Sequence, residues 1–322
     1  MQCAFWEWMV RGDSSLEPII RDGKLKSPYG PYRARDLFKV TLNREDGPIW
    51  TFDRMGATRT QLADGRIIFI GGEHEDFYDP DFCIYNDVVV ISPGGGGSAD
   101  GIAIFGYPRE LFPPTDFHTA TLVDDKIIVI GSMGYPKDRR HGHTPIFTLD
   151  LNTLSLTRVE TSGREPGWIS RHEAKLGNDG LIAVSSGVIC CEDGDGGFLV
   201  KNVDEYELDT NSWNWSRLTA HNWRQFSIRQ AERGLFVLDH DPQAETLIPE
   251  PFQPTTMVKE RNSATFLVRG ELVRITVNIS RVEVIIEGDV GDDAAHVIEQ
   301  IRLRTEWAIG QRCTARELIL PD

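Results

Sequence analysis

The stretch from Thr58 to Ser92, TRTQLADGRIIFIGGEHEDFYDPDFCIYNDVVVIS, decides the fold. Ile67 to Ile70 is a continuous apolar run, the pattern of a strand covered on both faces, and it stops at Gly71-Gly72. Asn86 to Ile91 is a second strand, and residues 73 to 85 join the two as one long acidic loop.

The pattern recurs. Phe117-His-Thr-Ala-Thr-Leu-Val-Asp-Asp-Lys-Ile-Ile-Val-Ile-Gly131 is followed, after a loop, by Pro145-Ile-Phe-Thr-Leu-Asp-Leu-Asn-Thr-Leu-Ser-Leu-Thr157. His172-Glu-Ala-Lys-Leu-Gly-Asn-Asp-Gly-Leu-Ile-Ala-Val-Ser185 is followed by Asn202-Val-Asp-Glu-Tyr-Glu-Leu-Asp-Thr-Asn-Ser-Trp-Asn-Trp215. With Gly71, Gly131 and Ser185 taken as equivalent, the steps are 60 and 54 residues. Each unit predicts four strands. Strand a turns through a polar pair such as Asp124-Asp125 or Asp179-Gly180 into apolar strand b. A long loop leads to strand c, and a turn through Asn152-Thr153 or Thr210-Asn211 leads to strand d. One such sheet cannot bury both faces alone, whereas several arranged radially can.

An apolar strand ending in Gly-Gly, a variable loop leading to Asn-Asp-Val, and a following Asp-x-x-Thr/Asn-x-x-Trp segment together resemble the kelch repeat of β-propeller proteins over residues 54 to 218. Gly131-Ser132 and Ser185-Ser186 depart from the double glycine, and Leu154 or Ser155 stands where the third unit has Trp213. The resemblance implies an all-β, kelch-like propeller over residues 1–250. About five blades are expected, the first and last degenerate. Residues 36–42 and 49–52 supply half of the first blade; Phe226 to Ile228 and Leu235 to Leu238 supply half of the last.

From residue 255 to 322 the pattern changes to a small β-β-α-β, α+β extension. Val273, Ile275, Val277 and Ile279 alternate with polar residues, as do Val282, Val284 and Ile286, which predicts a half-buried hairpin. Asp292 reads as an N-cap ahead of Ala294, Val297, Ile298 and Ile301 at helical spacing, Gly310 as the stop, and Glu317 to Leu320 as a last strand.

The formal net charge of −15, from 49 acids against 34 bases, repels phosphate backbones and so argues against a nucleic-acid partner. A basic protein suits that field. No stretch approaches ~18 uninterrupted apolar residues, so no membrane span and a cytoplasmic location are expected. Five cysteines without a CxxC pair (Cys3, Cys83, Cys190, Cys191 and Cys313) suit a reducing compartment and free thiols better than a disulfide framework.

In an up-and-down four-stranded sheet the b-to-c and d-to-a connections share one end, and here they are the long ones. Loops longer than a connection requires are where binding usually resides. The first carries Glu73, His74, Glu75, Asp76, Phe77, Tyr78 and Asp79; the second carries Arg139, Arg140, His141 and His143. Trp168, Arg171 and Trp223 lie in or beside d-to-a loops, and Arg59 lies beside the first. Arginines and aromatics are the residue types that anchor protein partners. His118 and His172, at the heads of successive a strands, read as buried structural histidines. No nucleophile elbow or phosphate loop is present, and no cofactor or metal is expected. These features point to a protein- or peptide-binding module, with a basic partner as the form the charge favours. The alternative is a sugar isomerase or mutarotase, as the resemblance to bacterial kelch enzymes implies, drawing on Arg59, Glu73, Arg139, His141 and Arg171.

Overall fold

The computed structural model describes residues 54–74, 83–93, 101–177, 179–191, 198–231, 243–255, 262–278 and 281–318. The fold is mostly β, and the chain divides into two compact units, Met1–Leu218 and Thr219–Asp322.

In the first unit, β1 (Thr58–Gln61), β2 (Ile67–Ile70), β5 (Asp87–Ile91) and β6 (Ile102–Gly106) form an antiparallel sheet in chain order. A two-strand ladder, β3 (Glu73–His74) and β4 (Cys83–Ile84), interrupts it between β2 and β5. A second sheet follows: β7 (Thr119–Val123), β8 (Lys126–Ile130), β9 (Ile146–Asp150) and β10 (Leu156–Arg158). The third is β13 (Glu173–Leu176), β14 (Leu181–Ser185), β17 (Tyr206–Asp209) and β18 (Asn214–Arg217), with the short β11 (Ser162–Gly163) parallel to β18. A separate three-stranded sheet joins β12 (Trp168–Ser170) to the hairpin of β15 (Val188–Cys191) and β16 (Phe198–Lys201).

The core explains why these runs pair as they do. Ile68 and Ile70, Val88 and Val90, Ile127 and Val129, and Phe147 and Leu149 come from alternate positions of the first two sheets and share one cluster with Phe112. Phe112 meets Phe147 edge to face, with centroids 5.0 Å apart. Each such fully buried side chain contributes ~1.5–3 kcal/mol over exposure, which makes sheet-to-sheet packing the main source of stability here. Strand heads are tied across sheets as well. The buried His118 shares a hydrogen bond with Thr58 Oγ1 (2.8 Å), and the buried His172 repeats it with Thr119 Oγ1 (2.9 Å). Both histidines are structural, and β1, β7 and β13 stand side by side.

The registers sharpen the repeat. Thr58 pairs with Ile70, Thr119 with Ile130 and Glu173 with Ser185, so the counterpart of Gly71 and Gly131 is Ser186, not Ser185. Gly71 (φ 55°), Gly131 (φ 73°) and Ser186 (φ 61°) are all left-handed, and the third unit then reads Ser186-Gly187. The need is steric: a Cβ on Gly71 would lie 2.1 Å from the Thr115 carbonyl oxygen. Likewise Leu154 and Trp213 share φ 55°, each donating its N–H to the carbonyl of Asp150 or Asp209, so Leu154 is the counterpart of Trp213.

The expected last blade does not form from Phe226 to Ile228. These residues lie in β19 (Trp223–Gln230), which pairs with β22 (Arg281–Glu287) and β23 (Cys313–Leu318) in the second unit. The division therefore falls after Leu218 and not near residue 250. The reason is burial: Phe226 and Ile228 share a core with Val282, Val284 and Ile286. Two further strands, β20 (Ser263–Val268) and β21 (Glu271–Asn278), complete an antiparallel sheet in the order β20-β21-β22-β19-β23. Helix α1 (Asp293–Ile309) packs against β22 and β23 through Ala294, Val297, Ile298, Ile301 and Thr305 and stops at Gly310, which is left-handed at φ 68°. Asp292 makes no side-chain cap; the Asp293 carboxylate pairs instead with Arg269 (2.6 Å). The last strand begins at Cys313, ahead of Glu317. Residues 36–42, 49–52 and 235–238, read as parts of degenerate blades, lie outside the described residues.

Candidate functional site

The long connections of the first unit are built structures. The b-to-c segment of the first sheet contains the β3–β4 ladder, and Met55 bridges back to Glu73 through paired backbone hydrogen bonds of 2.8 and 2.9 Å. That of the third sheet is the β15–β16 hairpin, and β12, from the preceding d-to-a connection, adds to it. Between them lies the segment from Ser132 to Thr144, with a single 3-10 turn at Pro136–Asp138.

Side chains from all sides pin this middle segment. Arg139 spends its guanidinium on it, Nε donating to the Met133 carbonyl (2.9 Å) and Nη2 to that of Gly134 (3.1 Å), while Nη1 reaches Cys190 Sγ (3.5 Å). Trp168, buried in β12, donates Nε1 to the same Met133 carbonyl (3.2 Å). His141 Nδ1 lies 3.2 Å from the Cys190 carbonyl oxygen. On the other flank the Ile84 N–H donates to the Tyr135 hydroxyl (3.0 Å).

Beneath the segment sits a buried carboxyl. Asp116 is fully inaccessible; its Oδ1 accepts the Gly134 N–H (2.6 Å) and lies 3.4 Å from Ser132 Oγ. No N–H or hydroxyl among the described residues reaches Oδ2, and the buried Glu73 carboxyl lies beside the Asp116 side chain. Burial raises the pKa of Asp116 above the ordinary carboxylate range, against the opposing pull of the Gly134 N–H and of Glu73. Burial also pushes the Cys191 thiol up to about 11, which leaves it inert at neutral pH.

Above the strand heads runs a three-step ladder. The Phe117 N–H donates to the Gly56 carbonyl and the Arg171 N–H donates to the Phe117 carbonyl, both at 2.8 Å. All three residues are left-handed, at φ 64°, 47° and 56°. Glycine takes this geometry freely, whereas a residue with a Cβ is penalised by ~1–2 kcal/mol. The second and third units nevertheless carry Phe and Arg, and the exposed Arg171 guanidinium lies 3.7 Å over the Phe117 ring.

Other expected residues fall differently. Arg59 is exposed on β1. Arg140 and His143 are exposed, and with Arg158, Glu165 and Trp168 they line a cleft of about 200 Å³ in which His143 approaches Glu165 at 3.5 Å. Trp223 is half-buried on β19 in the second unit and belongs to no loop of the first; its neighbour is His221, edge to face at 5.7 Å. Glu75, Asp76, Phe77, Tyr78 and Asp79 lie outside the described residues. His141 and His143 have different partners, and among the described residues no group of three or more His, Cys, Asp or Glu is placed to hold a metal ion. Asp116, Phe117 and Cys190 escaped sequence reasoning. An acid beside a Pro-Pro pair reads as a solvated loop residue, and only the φ shared by Gly56, Phe117 and Arg171 marks the ladder.

No protein-family model and no curated protein matches the chain. Solved structures similar to it include one titled "Structure of YjhT", at 11% identity and TM-score 0.32 over 74% of this chain and 66% of that one. Another is a fungal alcohol oxidase of the AA5 family in complex with copper, at 12% identity and TM-score 0.32 over 71% of this chain and 54% of that one. The chain thus spans just under two thirds and about half of these proteins' lengths. Among the described residues no helix is long and apolar enough to cross a membrane.

Proposed function

We propose that this chain is a non-enzymatic binding module, of divergent kelch-like propeller type, that takes a protein or peptide partner on the loop layer of its first unit. The observation that carries the reading is the layer itself. The β3–β4 ladder, the pinned Ser132-to-Thr144 segment and the β12–β15–β16 sheet are all made from connections that the four-stranded sheets do not need. Ordered structure in excess of what a connection demands is the hallmark of a recognition surface on a rigid scaffold. The propeller part of the reading is supported by three successive meanders whose first strands stand side by side through the Thr58–His118 and Thr119–His172 bonds.

The basic partner favoured by the net charge of −15 is a proposal that rests on the acidic residues of segment 75–79; the layer also exposes Arg140 and His143. The enzyme alternative gains nothing from the described geometry: Arg139 is engaged with backbone carbonyls, His141 lies against one, and Glu73 is buried against Asp116. The test is capture of a native partner by the wild-type chain and by a Glu75→Lys/Asp76→Lys/Asp79→Lys variant. Loss of the captured partner is expected from a variant whose circular dichroism and melting temperature match those of wild type. Equal capture by a folded variant refutes this surface as the binding face.

A further inference from the structure

We infer that Arg171, held flat on Phe117, is a carboxylate-binding shelf that receives an acidic side chain of the peptide partner. The inference rests on the binding reading above and names the ligand chemistry of one point on that surface. It begins from a cost with no structural return. Gly56, Phe117 and Arg171 occupy one position in three successive units, each two residues ahead of the first paired residue of strand a, and all have φ between 47° and 64°. The rungs that bind the three together run through backbone N–H and C=O groups alone, so glycine would serve at every step, as it does at Gly56. Leu154 also takes a left-handed backbone, but it packs against the core. Arg171 packs against no core; it is exposed, and no carboxylate pairs with it among the described residues.

What the arginine does gain is orientation. Its guanidinium carbon sits 3.7 Å from the Phe117 ring centroid, close enough that the two planes must stack, and among the described residues no acceptor meets the donor fork. A planar fork held at a fixed angle matches a carboxylate bidentately, with less ordering to be done on binding than a free arginine requires. Phosphate shares the fork geometry. The net charge of −15 disfavours the more highly charged anion, so a single carboxylate is the better occupant. Strain retained at an exposed, preorganised side chain is the signature of a site kept for its ligand. Arg171 directly follows β12, so the shelf lies where the loop layer joins the strand heads.

The test uses the full chain and the peptide acetyl-Ala-Glu-Ala-amide as probe, read by the NMR signal of the Arg171 Nε–H group. That signal is assigned by its loss in Arg171→Lys. Expected are a saturable shift with the Glu peptide, at least five-fold weaker response to the matched Gln peptide, and, by titration calorimetry, heat of binding of the Glu peptide to wild type but none to Arg171→Gly. The glycine variant should melt at the same or a higher temperature than wild type, because it relieves the left-handed strain. Equal response to the Glu and Gln peptides, no shift at all, tighter binding of inorganic phosphate than of the Glu peptide, or a lowered melting temperature in Arg171→Gly each overturns the inference. Partner capture that depends on Glu75, Asp76 and Asp79 with no shift at Arg171 would leave the binding reading standing and remove the shelf alone.

Discussion

Lowering the pH from 7 to 5 should remove much of the first unit's stability through two histidines. His118 and His172 are buried, and burial holds their pKa values at about 3 and about 4 against 6.5 when exposed; for His118 the neighbouring His172 adds to the effect. In both rings Nε2 meets a threonine hydroxyl of the preceding sheet, and Nδ1 finds no partner among the described residues, so the cavity offers a proton no acceptor. A base whose folded pKa lies below its unfolded one stabilises the fold above the unfolded value. That stability is lost as pH falls from 6.5 toward 4 and 3. Integrating between pH 7 and pH 5 gives ~2 kcal/mol for each histidine and ~4 kcal/mol for the pair, if the two titrate independently. That is a large share of the roughly 5–15 kcal/mol that holds a typical domain together. The assay is urea unfolding followed by tryptophan fluorescence at intervals from pH 7.5 to 5. It compares wild type with His118→Gln/His172→Gln, in which the amide can keep the bond to the threonine hydroxyl. The double variant should be less stable than wild type at pH 7 and lose far less between pH 7 and 5. An equal loss in both proteins would refute the assignment.

Asp116 acts in the opposite direction, since an acid whose folded pKa is raised costs stability as pH climbs above its unfolded value. Asp116→Asn, which can still accept the Gly134 N–H, should raise the melting temperature at pH 7.5, and the gain should fade by pH 4; a loss at both pH values would contradict a pKa raised by burial. Gly71→Ala places a Cβ 2.1 Å from the Thr115 carbonyl oxygen at φ 55° and should cost ~3 kcal/mol or more in chemical denaturation. Gly106→Ala, where a Cβ meets nothing within 4 Å, serves as the control and should stay within ~0.5 kcal/mol. In the second unit Trp307 is 88% exposed, so Trp307→Lys should change stability by no more than ~0.5 kcal/mol. Fully buried Ile301, cut to Ala, should cost ~2–5 kcal/mol.

The amino-acid sequence by itself determined the four-strand units at residues 58–106, 119–158 and 173–217. Apolar runs such as Ile67 to Ile70 and Ile127 to Ile130, and turns such as Asp124-Asp125, act within a few residues, so their consequences can be read locally. The hairpin at Val273 to Ile286 and the stop at Gly310 were legible for the same reason. Which strands a run pairs with is decided at long range, and there local pattern was silent. Phe226 to Ile228 looks like the start of another blade, yet it sits between β22 and β23 because the apolar face waiting there lies more than fifty residues further along the chain. The candidate site divides the same way. Arg140, His143 and Trp168 were visible as residue types in long loops, but the buried Asp116 under Gly134 and the Arg171–Phe117 stack exist only once separate connections meet. Burial raises the pKa of an ordinary loop acid, and a shared left-handed backbone turns two unremarkable residues into an oriented pair. Both effects are products of packing, which only the tertiary structure decides.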